Sequence, residues 1–184
     1  VYDDGSGELD LRRFRPELPV YLVLRDHRVL PVRSPAPPPG IHVELERAWP
    51  TFQRPENLSS MIVHTAEGGG IPTSGGLALG VFESRPGATL DVPFDVAATG
   101  TYALRLDGVS APENGRYEVS VDGDPLLTWD GYAPERAPLR GTPAPPRTLS
   151  RGPHTLTARC VGKAPASRGH LAVFDALVGE PVAR

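Results

Sequence analysis

The 184-residue sequence holds one cysteine, Cys160, so an internal disulfide framework is excluded and any core must hold by packing alone. A lone thiol in an apolar stretch is expected to be buried in a strand. Lysine is almost missing: Lys163 stands alone among 19 basic residues, a bias expected of a GC-rich bacterial gene. Neither charge sign dominates. A net charge of −3 and a pI near 6.0 supply no basic field for nucleic acid or an anionic membrane, so neither is an expected partner. No apolar run reaches the length of a membrane-spanning helix, and residues 1–20 lack the apolar core of a signal peptide. The sequence opens at Val1 without a Met, as expected of a mature protein or a piece of a larger one.

Catalytic spacings are missing too. There is no His-Glu-x-x-His, no Gly-x-Ser-x-Gly and no P-loop; Gly68-Gly69-Gly70 and Gly75-Gly76 lack the Lys-Ser/Thr that a phosphate cradle needs. His27, His42, His64, His154 and His170 are scattered without metal-ligand spacing, and those at 64 and 154 sit in strand patterns that suit a hydrogen-bonded structural role. The expectation is therefore a chain that is not an enzyme by itself. A small glycan-active hydrolase with a dispersed site stays open as an alternative.

What the sequence has in quantity is turn formers: 20 Gly and 22 Pro, against long helices and in favour of many short strands. Val20 to Leu24 and Arg28 to Val32 read as a hairpin within an N-terminal extension, 1–33, or the tail of a preceding domain. Ser34 to Gly40 (SPAPPPG) reads as a semi-rigid linker, which leaves 41–184 as the main module. Strands are expected at Ile41 to Glu46, Met61 to Thr65 and Leu77 to Phe82. Apolar residues then alternate with polar ones at Leu90/Val92/Phe94, Tyr102/Leu104/Leu106, Tyr117/Val119/Val121 and Leu156/Ala158/Cys160. Asp122-Gly123 is a hairpin signal, and the apolar run Leu171 to Val178 suits a central strand. The fold class is all-β, an antiparallel sandwich or barrel.

Two stretches, Trp49 to Ser60 and Thr128 to Ser150, read as long loops, where binding residues concentrate. In the second, Trp129-Asp130-Gly131-Tyr132 offers flat rings for the C–H face of a sugar and a carboxylate for its hydroxyls. The ring of Trp129 either faces a ligand or folds back to plug the sandwich edge. Trp49 reads as structural. Glu44 and Glu46, two apart, are expected on one strand face; with Asp175 of the last strand they would clamp a hard cation such as calcium if the two strands are close. The alternative is a solvated acidic face beside Arg47.

From Glu44 onward the order of features resembles the galactose-binding-like β-sandwich modules appended to bacterial secreted glycoside hydrolases. The residues concerned are Glu44 and Glu46, Ser74-Gly75-Gly76, Gly100 to Leu104 (GTYAL), Gly115 to Gly123 (GRYEVSVDG), Leu149 to Leu156 (LSRGPHTL), Gly162-Lys163 with Ser167, and Phe174 to Leu177 (FDAL). The resemblance covers 41–180. It implies a jelly-roll-like sandwich that is a carbohydrate-binding or accessory module, located extracellularly. Its partners would be carbohydrate and a catalytic domain of the same larger protein. It also implies a structural calcium at Glu44, Glu46 and Asp175, and sugar contacts from Trp129 and Tyr132 with Asp130 beside them. The tract from Gly162 to Ser167 carries no implied chemistry beyond a tight turn.

Overall fold

The computed structural model describes residues 21–23, 29–31, 40–48, 59–65, 70–82 and 84–182. The contacts divide the chain into two units, Val1–Pro38 and Pro39–Arg184. In the first, β1 (Tyr21–Val23) and β2 (Val29–Pro31) form the expected antiparallel pair, with Leu22 opposite Leu30. The Pro-rich tract up to residue 39 and the tryptophan at 49 lie outside the described residues.

The second unit is an all-β sandwich. Its strands are β3 (Ile41–Glu44), β4 (Ser59–His64), β5 (Leu77–Phe82), β6 (Thr89–Val96), β7 (Gly100–Ser110), β8 (Arg116–Val121), β9 (Asp124–Asp130), β10 (Ala137–Leu139), β11 (Arg147–Leu149), β12 (Gly152–Gly162) and β13 (Ala172–Pro181). One sheet runs β10-β7-β13-β5-β4, with β11 also on β7 and β3 also on β13; the other runs β6-β12-β8-β9. Every strand pair is antiparallel. The apolar run ending at Val178 becomes β13, which pairs with β7 on one side and with β5 and then β3 on the other. Paired along both edges, β13 is the central strand that the apolar run suggested.

Alternation places the core. Leu79, Val81, Leu104, Leu106, Phe174 and Leu177 of the larger sheet meet Leu90, Val92, Tyr117, Val119, Leu156 and Cys160 of the smaller one, all buried. The β8–β9 turn is made by Asp122 (φ 53°) and Gly123 (φ 86°), the left-handed pair that a tight hairpin requires. His154 is buried beside this turn; its Nδ1 lies 2.5 Å from an Asp122 carboxylate oxygen and its Nε2 2.8 Å from the Ser150 carbonyl. Both neighbours are acceptors, so the ring satisfies them together only as the imidazolium.

Two expectations are corrected. The first post-linker strand stops at Glu44, because the chain turns into a one-turn helix, α1 (Leu45–Ala48). Glu44 and Glu46 therefore do not share a strand face. The second long loop is not irregular throughout: Thr128 to Asp130 continue β9, and β10 and β11 both bond to β7.

Candidate functional site

Trp129 is a core residue. It lies on β9 opposite Tyr117 and is 3% exposed, with its ring 4.9 Å from that of Phe174 and 6.0 Å from that of Tyr117, both edge-on. Its face is consumed by the sandwich interior and is not presented to a ligand. Of the two outcomes the sequence left open, the structure takes the plug. Asp130, next along, points the other way and receives Nε and Nη2 of Arg116 at 3.1 and 2.6 Å and the Tyr132 N–H at 3.2 Å. Tyr132 is half-buried and forms a parallel bridge to Ala111.

The three acidic residues do converge, by a different route from the one expected. β3 pairs with β13 with Glu44 opposite Ala176, which brings Asp175 next to the end of β3, and α1 then carries Glu46 back against β13. Ser74, in the turn Ser74–Gly76 before β5, bridges the group: its N–H lies 3.0 Å from each Asp175 carboxylate oxygen, and its hydroxyl donates to Glu44 Oε1 at 2.6 Å. The same Glu44 oxygen lies 2.7 Å from His42 Nε2. Glu44 Oε2 and Glu46 Oε2 are buried without a hydrogen-bond partner. Burial pushes the Glu46 carboxyl up to about 7, and the nearby charges of Glu44 and Asp175 add to the rise. Asp175 is raised too, chiefly by burial, against the lowering effect of the Ser74 N–H.

Ser74, His42 and Glu44 do not make a hydrolytic relay. Hydroxyl and carboxylate both approach Nε2, whereas a relay needs the acid on one ring nitrogen and the nucleophile on the other. Among the described residues no group of three or more His, Cys, Asp or Glu is arranged to hold a metal ion. The donor chemistry of Glu44 and Glu46 nonetheless fits a hard cation: each has a buried carboxylate oxygen lacking a donor, of a kind that oxygen-seeking ions satisfy. Asp175 already has both oxygens engaged by Ser74.

A cleft of about 420 Å³ opens on the outer face of the larger sheet, where β7 ends and β13 begins. Gly80 makes its floor possible, because Val63 and the ring of Phe82 fold over the space where a side chain would stand. Val109 and Val173, cross-strand partners, continue the floor. Polar groups rim it: His64 at the end of β4 and Thr65 after it, Glu113 and Asn114 between β7 and β8, and Arg136 before β10, with Arg136 Nη2 3.6 Å from Glu113 Oε1. Thr65 is fixed by hydrogen bonds from its hydroxyl to that of Thr73 and from its N–H to Gly76 O. The cleft thus has an apolar bed containing one aromatic ring and a border of donors and acceptors, the usual make-up of a small-ligand site. Sequence reasoning did not assemble it, since its walls come from six separated segments.

No family model matches the sequence, and no curated protein matches it. Solved structures do. A xanthan lyase from Paenibacillus overlaps 83% of this chain at a TM-score of 0.68 and 18% identity, and a GH26-CBM35 β-(1,4)-mannanase from Podospora anserina overlaps 79% at 0.52 and 14%. A CBM35 from Paenibacillus barcinonensis overlaps 78% of this chain and 100% of its own at 0.45 and 14%. The chain spans only 14% of the lyase and 28% of the mannanase. What this likeness shows is the fold: the chain shares its β-sandwich with a part of each of those larger enzymes, as its sequence resemblance implied.

Proposed function

We propose that the sandwich unit is a non-catalytic carbohydrate-binding module whose ligand lies in the cleft over Val63, Phe82, Val109 and Val173. The observation that carries this reading is the cleft's composition. An apolar bed accommodates the C–H face of a pyranose, while the bordering Glu113 and Arg136 match its hydroxyls. Support comes from the two overlapping enzymes, which by name act on xanthan and on β-1,4-mannan. On this reading the module works outside the cell, beside a catalytic domain of the same longer protein. Stacking falls to Phe82 in place of Trp129.

A calcium ion held by Glu44 and Glu46, with Asp175 adjoining, belongs to the same proposal. It would neutralise the two partnerless oxygens and brace the junction of β3, α1 and β13, supplying structure and no chemistry.

An accessory role, bracing a catalytic partner without a ligand, is favoured by one observation: Met61 and Ile62 on β4 are 51% and 38% exposed. A glycan screen that includes xanthan and β-1,4-mannan, run in calcium and in chelator, separates the readings. Binding that Phe82→Ala weakens establishes the module. Absence of binding to every glycan overturns it in favour of the accessory role.

A further inference from the structure

The tract Gly162-Lys163 to Ser167 lies outside the main hydrophobic cluster, the carboxylate group and the lining of the cleft. Its serine is nonetheless 5% exposed and surrounded by backbone oxygens. Ser167 Oγ lies 2.7 Å from Asn114 O, 2.9 Å from Gly169 O and 3.3 Å from Pro112 O, and accepts the Gly169 N–H at 3.2 Å. A hydroxyl has one proton, and the shortest contact assigns it to Asn114 O. The loop after β12 is then laced to the loop after β7 by Arg168 N–H to Pro112 O (2.8 Å), Leu171 N–H to Glu113 O (3.0 Å) and Gly115 N–H to Leu171 O (2.8 Å). The backbones touch: a Cβ on Gly169 would stand 2.9 Å from Glu113 O.

We infer that Ser167 is a positioning residue for the cleft, holding the 112–114 loop so that Glu113 is set before ligand arrives; this rests on the carbohydrate-binding reading. The geometry shows how. Ser167 gives its proton to the carbonyl of Asn114, just after Glu113, while the Pro112 carbonyl just before it takes the Arg168 N–H. Asn114 is itself buried, its side-chain amide donating to Val109 O at 2.7 Å, so its carbonyl has little access to replacement water. Removing the hydroxyl leaves that acceptor without its side-chain donor and frees the wall to move. Binding then has to order the loop as well as fill the cleft.

The test compares wild type, Ser167→Ala and Ser167→Cys for retardation in gels containing soluble xanthan or β-1,4-mannan, alongside amide hydrogen exchange of the free proteins. We expect Ser167→Ala to weaken retardation about tenfold, the scale of one lost buried hydrogen bond. Faster exchange should be confined to residues 112–115 and 167–171, with β7 and β13 protected as before. Ser167→Cys, which keeps a weak donor of similar size, should fall between. Wild-type retardation matched by Ser167→Ala, or exchange that rises through the whole sandwich, overturns the positioning role. Should Ser167→Ala not fold, equal retardation of Ser167→Cys and wild type with unchanged loop exchange overturns it as well. A wild type retarded by neither polysaccharide overturns the binding reading, and the positioning role with it.

Discussion

Trp129 meets Phe174 edge-on with ring centroids 4.9 Å apart, joining the outermost strand of the smaller sheet to the central strand of the larger one. Tyr117 completes the group, 5.5 Å from Phe174. Aromatic trios of this kind bury large areas and gain further from edge-to-face geometry. Trp129→Ala should therefore lower unfolding stability by about 3–5 kcal/mol, the usual cost of deleting a buried large aromatic. Urea denaturation checks the loss. Glycan affinity measured well below the unfolding midpoint should stay near wild type; a selective loss of affinity with stability intact would return Trp129 to the ligand.

The misplacement of Trp129 from sequence has a physical origin. Strands β6, β7, β8 and β12 were legible because apolar residues recur every second position. In β9 the register shifts opposite Val119 and Ser120, so the buried residues Leu126 and Trp129 stand three apart and the period is lost. Gly131 looked like a turn former. Its role is to leave room, since a Cβ there would sit 2.3 Å from the Trp129 ring. The opposite error befell Glu46: Ile41, Val43 and Leu45 keep strand spacing past the point where the chain turns helical. Glu44, Glu46 and Asp175 are drawn near one another because two neighbours in the chain and one partner strand define their places. The cleft was invisible, as Val63, Phe82, Val109 and Val173 are brought together only by strand pairing.

Glu46 ties stability to pH. Its folded-state value of about 7 lies above the ordinary 4.5, so the folded protein binds more protons than the unfolded chain between those values. Stability in chelator should accordingly fall as pH rises from about 4.5 to 7 and level off above, by on the order of 1–3 kcal/mol. Glu46→Gln should flatten that slope and melt higher than wild type at pH 7.5 in chelator. In calcium the order should reverse, with wild type gaining melting temperature and Glu46→Gln gaining little. A wild type whose melting temperature ignores calcium at pH 7.5 removes the cation from the proposal.

His154 and Asp122 are shifted in opposite senses, the first raised as Glu46 is and the second lowered. The Asp122 hydrogen bond, helped by the Ser150 carbonyl, raises His154 above 6.5; burial opposes but does not prevent a fall of Asp122 below 3.8, driven by His154 and the Thr155 N–H. The raised His stabilises the fold below about 6.5 and loses that effect as pH climbs through its folded value. The lowered Asp stabilises above about 3.8 and loses it as pH falls. The pair should contribute most between those limits. Asp122→Asn keeps a residue tolerant of the left-handed turn while removing the charge. Its melting temperature should trail wild type most near pH 5, by a deficit of about 1 kcal/mol given the solvent exposure of the carboxylate, and converge above pH 8. A deficit independent of pH would assign the contact to the turn alone.

Phe82 is where the binding proposal is most exposed to failure. Its ring is half-buried, folded back over Gly80 and against Val63, and it is the one aromatic side chain among the described residues lining the cleft. Phe82→Ala should cost little stability compared with Trp129→Ala, because one face of the ring borders the cleft and not the sandwich interior. If a pyranose rests on that face, the same change should weaken glycan affinity by about tenfold or more, the worth of an aromatic platform together with its buried area. Phe82→Tyr, which retains the ring, should keep most of the affinity. Arg136→Ala should weaken binding less, since its side chain is 66% exposed and its link to Glu113 is long at 3.6 Å. Calorimetry on the three variants, with melting curves as the control, gives the ranking. Phe82→Ala affinity equal to wild type would move the ligand out of this cleft, whereas a ranking led by Phe82 would locate the sugar over β4, β5 and β13.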